Sequence, residues 1–296
     1  MSSPYRDIFR RHARELEPIP TGRVPVLPRL SGIKSVLFDV YGTLLISGSG
    51  EVGTAEDAPC GTALAGALAA VGIRPTRPLE QDVEYLFQTI RDFHARSRRA
   101  GVEYPEVQIV DVWREVVAEW AGRGLVDEAA CRNADLARLA VEYEARANPV
   151  WPMPGLKECV QRLRDRSIIL GLVSNAQFYT PELFPALLGK GAEACGFHPD
   201  LQLYSYRLGQ AKPGEALFRA AVELLAARRI APGEVLYVGN DMLNDVFPAQ
   251  KVRFRTALFA GDARSLKLRR DDSRLTGVSP DVVLTELGQL PGYVLA

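Results

Sequence analysis

Cysteine, histidine and methionine are scarce in this 296-residue chain, at four, three and three copies. Cys60, Cys131, Cys159 and Cys195 are scattered without a CxxC spacing, and His12, His94 and His198 form no ligand pair. Neither a disulfide framework nor a zinc site is expected. An excess of either charge is also missing, since Lys plus Arg and Asp plus Glu both number 36. No overall field recruits nucleic acid or an acidic membrane, so any phosphate binding must be local. Long apolar runs are absent too. No stretch reaches the ~18 residues of a bilayer span, and the first residues lack the apolar centre of a secretory signal. The expectation is a cytoplasmic protein with no membrane and no nucleic-acid partner. What remains is ordinary globular material, 47% hydrophobic and 24% charged. That is enough for one large domain or two modest ones of ~100 to 150 residues.

Three kinds of segment follow one another. Residues 1–33 join a polar helical stretch, "YRDIFRRHARELEP", to a Pro-rich connector, and read as an arm. After the short run "SVLF" and a Gly-rich stretch, residues 48–152 carry helical periodicity: Leu64, Leu68 and Val71, then Val83, Leu86, Phe87 and Ile90, then Val112, Trp113, Val116, Val117 and Trp120. A further helix is predicted from Asp127 to Arg146. The string "NPVWPMPG" closes this insert, and the segments Gly48–Gly53 and Asn148–Gly155 read as its hinges. From 153 onward, helices alternate with short apolar strands: "SIILGLV", "LQLYSY", "EVLYVG", "RTALF" and "DVVL". Such alternation predicts an α/β fold, a Rossmann-like parallel sheet with helices on both faces, built from residues 34–47 and 153–296. Right-handed crossovers line the strand C-termini along one edge, where ligands bind.

The residues that follow those strands carry the chemistry. Asp39 follows "SVLF" within "DVYGT", Ser174 and Asn175 follow "IILGLV", Lys212 opens a helix in "KP", and "GNDMLND" follows "EVLYV". Alone, each reads as a turn residue, a helix cap or a solvated charge. In this order, over residues 34–46 and 153–260, the chain resembles the haloacid dehalogenase-like hydrolase superfamily, and the helical insert resembles that family's cap domain. The resemblance implies that Asp39 is a nucleophile forming an ester that water later opens. It implies that Ser174 and Asn175 donate to anionic oxygens, that Lys212 holds nucleophile and substrate, and that Gly42 and Thr43 keep the loop tight.

Tyr41 departs from the family's phosphatases, which place a second aspartate two residues after the nucleophile. A phenol with an ordinary pKa near ~10 is a poor base at neutral pH. Halide leaving groups need no proton, and a "DxYGT" form occurs in the 2-haloacid dehalogenases. The acidic cluster points the other way. Asp39, Asp241 and Asp245 face one lysine, and two like charges ~4 Å apart repel by ~4 kcal/mol at an effective dielectric of 20. Mg²⁺ would relieve this. The expected ligands are Asp39 and Asp241, with the Tyr41 carbonyl added as the resemblance implies, supported by Asn240, Asn244 and Asp245; an ungapped alignment places Asn240 at the metal instead. The resulting expectation is a Mg²⁺-dependent hydrolase of a small phosphorylated molecule, monomeric or homodimeric, working through an aspartyl phosphate. The alternatives are a metal-free 2-haloacid dehalogenase and a binding protein that retains the fold. Glu106 is a candidate second acid from the insert, and Arg91, Arg96, Arg98 and Arg99 are candidates to meet an anionic tail.

Overall fold

A computed structural model describes residues 3–49, 60–79 and 82–294. Eight strands are described: β1 (Ser35–Phe38), β2 (Leu45–Ser47), β3 (Val150–Pro152), β4 (Ile169–Ser174), β5 (Phe197–Tyr204), β6 (Val235–Gly239), β7 (Arg255–Phe259) and β8 (Val282–Leu284). Six form one parallel sheet in the order β5-β4-β1-β6-β7-β8. The chain enters this sheet at β1, moves outward through β4 and β5, then returns to β6 on the other side of β1. The direction of winding therefore reverses beside β1, which opens a crevice at its carboxyl end.

Both faces of the sheet are covered, which is why its strands read as continuous apolar runs. Side chains alternate across β1: Val36 and Phe38 join one core, and Leu37 joins a second. The first core includes Cys159, Val160 and Leu163 of α7 (Leu156–Arg164) and Leu183 and Phe184 of α8 (Thr180–Leu188). The second takes Leu217, Phe218, Ala221 and Leu225 of α11 (Ala216–Ala226). Shorter helices complete the layers: α9 (Ala192–Cys195), α10 (Ser205–Leu208), α12 (Phe247–Lys251) and α13 (Leu290–Tyr293).

The insert consists of α2 (Cys60–Ala70), α3 (Val83–Arg99), α4 (Ile109–Gly122), α5 (Glu128–Asn133) and α6 (Leu136–Ala147). Trp113 and Trp120 lie in its interior, with Trp113 edge-on to Tyr143 at a centroid separation of 5.3 Å. The single helix predicted from Asp127 to Arg146 is two helices. Asp135 caps the second by accepting from the Arg138 amide at 2.9 Å, which ends the first at Asn133. An unpredicted element, the antiparallel pair β2 and β3, joins the residues just before the first hinge to the second hinge. Asn148 fastens it, accepting from Ser47 Oγ at 2.8 Å and from the Ser49 amide at 3.1 Å. The part of the first hinge beyond residue 49 lies outside the described residues.

The arm begins as α1 (Pro4–His12), whose Ile8 and Phe9 are buried. Tyr5 and Phe9 pack on Phe178 and Tyr179, while His12 meets Glu142 of α6. Beyond α1, Val26 pairs with Val283 of β8.

Candidate active site

Asp39 stands one residue past β1. Its amide still donates to the Val238 carbonyl at 2.9 Å, so the sheet ladder fixes its position. The chain then turns back sharply, with Gly42 donating to the Leu45 carbonyl at 2.7 Å. Gly42 has φ of 76°, and a Cβ there would come within 2.7 Å of Asn240 Nδ2, so both conformation and space require glycine. Thr43, fully buried, donates to Asn240 Oδ1 at 3.1 Å and ties the loop to the end of β6.

Lys212 connects three strands' worth of chemistry. Its ammonium donates to Asp39 Oδ1 at 2.9 Å, to Asp245 Oδ1 at 2.6 Å and to the Tyr237 hydroxyl at 3.1 Å. Burial favours the neutral amine, but Asp245 and Asp39 outweigh it and hold the lysine above its ordinary pKa. Burial raises the Asp245 pKa despite the opposing pull of Lys212. Gly239 lets Asp245 approach, since a Cβ at that position would lie 2.4 Å from Asp245 Oδ2. Asn175 clamps the lysine's backbone: its Oδ1 accepts from the Lys212 amide at 2.8 Å and its Nδ2 donates to the Lys212 carbonyl at 3.2 Å. Its side chain thus orients Lys212, a different duty from the expected donation to substrate oxygens. Ser174, the last residue of β4, donates to the Asn175 carbonyl at 3.2 Å.

Asp241, an expected metal ligand, is engaged here by its own turn and by Arg269. Its Oδ1 accepts from the Leu243 and Asn244 amides at 2.8 and 3.2 Å, capping the turn that follows. Its Oδ2 accepts from Asn244 Nδ2 at 3.1 Å and from Arg269 Nη2 at 2.9 Å. Four donors saturate the lone pairs of one carboxylate. The Arg269 guanidinium also sets a positive charge against this carboxylate. Asn240 is the neighbour that faces the Asp39 loop, and its amide brings oxygen without charge. Among the described residues no three acidic, His or Cys side chains gather to hold a metal ion. Of the three carboxylates at this edge, Asp241 is held by its turn and Arg269, and Asp245 by Lys212, Tyr237 and the Asp241 amide, which leaves Asp39 as the one bound by Lys212 alone among the hydrogen bonds described.

On the insert side, Tyr41 is buried with its hydroxyl 3.0 Å from Thr180 Oγ1. Burial, reinforced by Glu144, pushes its pKa well above the phenol's usual value, which rules out base catalysis at neutral pH. Glu106 is held by Ser205 Oγ at 2.5 Å, Gln177 Nε2 at 3.1 Å and the Val107 amide at 2.9 Å. The segment around it runs beside the residues leading into Lys212, with Ala211 N donating to the Tyr104 carbonyl at 2.8 Å. The four arginines Arg91, Arg96, Arg98 and Arg99 are exposed on α3, and Arg96 pairs with Glu115 at 2.8 Å.

Two polar groups of this site lay outside the expectations. Tyr237 reads as a core residue of β6, yet its hydroxyl lies 2.8 Å from the Val173 carbonyl and 3.0 Å from Asp245 Oδ1. A tyrosine at a fully buried strand position is the signal that marks it. Arg269 lies in an irregular loop, and no periodicity in the sequence points to it.

The parallel α/β sheet thus presents an aspartate, a lysine and a second acid together at its carboxyl edge. A family model described as haloacid dehalogenase-like hydrolase matches residues 33–252, and the chain belongs to that family. Among solved structures, the 2-haloacid dehalogenase of Pseudomonas syringae pv. Tomato DC3000 is similar at 22% identity and a TM-score of 0.58, over 88% of this chain and 97% of that one. A CbbY variant of Rhodobacter sphaeroides in complex with xylulose-1,5-bisphosphate is similar at 17% identity and a TM-score of 0.50, over 89% and 100% of the two chains. Curated proteins give no match.

Proposed function

We propose that this chain hydrolyses a small molecule through a covalent ester at Asp39, without a metal ion, and that the leaving group is one that departs unprotonated, such as a halide on a 2-halo acid. The commitment of Asp241 to its helix cap and to Arg269 supports this reading, because it leaves a cation fewer free carboxylate oxygens at this edge.

The residues divide the work as follows. Lys212 binds Asp39 Oδ1 and leaves Oδ2 to attack. The new O–C bond forms as the carbon–halogen bond breaks, and the halide leaves as an anion. No proton is required, which suits a buried phenol at position 41. Ser174 at the end of β4 turns its hydroxyl from the Asn175 carbonyl to the substrate's anionic oxygen. Water then adds to the Asp39 carbonyl carbon, the hydroxy acid departs, one proton passes to solvent, and Lys212 receives the restored carboxylate.

Halide release from 2-chloropropionate, measured beside phosphate release from a panel of phosphorylated metabolites with Mg²⁺ or with chelator, tests the proposal. Halide release that survives chelator and disappears in Asp39→Asn is expected. Turnover in ¹⁸O-water should label Asp39 itself. The second reading is the Mg²⁺-dependent phosphohydrolase with an aspartyl phosphate at Asp39, favoured by the Asn240 carbonyl oxygen facing the Asp39 loop. Phosphate release that stops with chelator, with no halide released, would establish it instead.

A further inference from the structure

Between the insert and the sheet edge lies a cavity of about 210 Å³. Leu86, Phe87, Ile90, Val107, Ile109 and Trp113 give it an apolar wall. Asn175 and Ala211, the neighbours of Ser174 and Lys212, close the end nearest the reacting groups. Two carboxyl groups also reach this space, Glu106 and Glu144, and neither Lys nor Arg is among the described residues that line it. We infer that the substrate carries an uncharged apolar substituent about the size of a phenyl ring, and that this cavity receives it. The inference rests on the Asp39 reading of the active site and adds the class of side chain that reading leaves open.

Size and charge both support the assignment. A dry apolar cavity of about 150 Å³ accommodates benzene, so the volume here suits a six-carbon ring or a chain of similar bulk. A second anionic group on the substrate would face two acids with no cation to offset them. Burial raises the pKa of both acids, that of Glu144 to about 7, so part of this barrier persists at neutral pH. His94, the remaining titratable side chain at the wall besides Tyr143 and Tyr179, has its pKa lowered by burial and by Arg98, so it brings no charge at neutral pH. The α3 arginines, directed to solvent, do not serve this space.

Ligands without a leaving group separate this inference from the chemistry. Benzyl alcohol and 3-phenylpropionate should each raise the melting temperature of the full chain, and succinate should not. Ile90→Trp, which fills the cavity from its partly exposed side, should abolish both shifts while its own unliganded melting temperature reports that it folds. In turnover, 2-chloro-3-phenylpropionate should exceed 2-chlorosuccinate in kcat/KM by at least about tenfold. Stabilisation by succinate equal to that by phenylpropionate, shifts that persist in Ile90→Trp, or no shift with either aromatic ligand would overturn the inference. Binding as expected without halide release would retire the dehalogenation reading and leave the cavity's assignment standing.

Discussion

At the scale of single residues, the site is governed by charges held away from water. Lys212 is surrounded by Asp39, Asp245 and Tyr237, and all four side chains are nearly inaccessible. Lys212→Ala leaves two buried carboxylates facing each other, and should cost about 3–5 kcal/mol in a urea titration as well as abolishing turnover. Adding Asp245→Asn should recover part of that stability and none of the activity. Glu144 presents the opposite case, an acid with no cation beside it. Burial lifts its pKa from 4.5 to about 7, against hydrogen bonds from Asn148 and Tyr179. The folded state therefore binds a proton between these values that the unfolded chain has released, so this group's contribution to stability falls as pH rises from about 4.5 to 7 and stays low above that. Glu144→Gln, which keeps the Asn148 contact, should raise the melting temperature more at pH 8 than at pH 5. Equal shifts at the two pH values would show that Glu144 ionises as an ordinary carboxylate.

At the scale of elements, what could be read beforehand follows from how locally each feature is specified. β1, β4 and β6 were legible because a strand buried on both faces is a short run of branched and aromatic residues, and chemistry places its polar groups directly after such runs. Asp39, Lys212 and Asp245 meet in this way, and Ser174 ends the adjacent strand β4. The pairing of β2 with β3 was not legible, since Val150–Pro152 contains proline and its partner lies about a hundred residues away across the insert. Arg269 was missed for a related reason: a long irregular loop fixes its position, and its partner Asp241 looked like a metal ligand without it. The break between α5 and α6 hinges on Asp135, whose side chain both ends one helix option and begins the next. Asp135→Ala should lower stability by about 1 kcal/mol. Because α6 carries Ala140, Tyr143 and Glu144 of the cavity wall, the same variant should also weaken the thermal shift given by 3-phenylpropionate.

At the scale of the whole molecule, the first thirty residues add a further tie between the insert and the sheet layers, which the hinges and the Glu106 segment also join. α1 contacts α8 of the sheet layer and α6 of the insert, through Phe9 on Tyr179, Arg6 near Glu182 at 3.7 Å and His12 near Glu142 at 3.7 Å. The segment beyond it runs to the far edge, where Val26 pairs with Val283 and the Leu30 amide donates to the Tyr293 carbonyl. Ile8 and Phe9 bury side chains worth about 1.5–3 kcal/mol each, so a chain starting at Glu15 should lose about 3–6 kcal/mol in denaturant titration. The loss should not stay at the surface. Tyr179 packs on Phe9 on one side and lines the cavity on the other, where it hydrogen-bonds Glu144. Stripped of α1, this wall admits water, the burial that lifts the Glu144 pKa weakens, and the pH dependence of stability between 4.5 and 7 should flatten together with the response to benzyl alcohol. A truncated chain that loses stability while keeping both behaviours would show instead that the arm supports the outer layers and leaves the cavity wall to the insert and sheet alone.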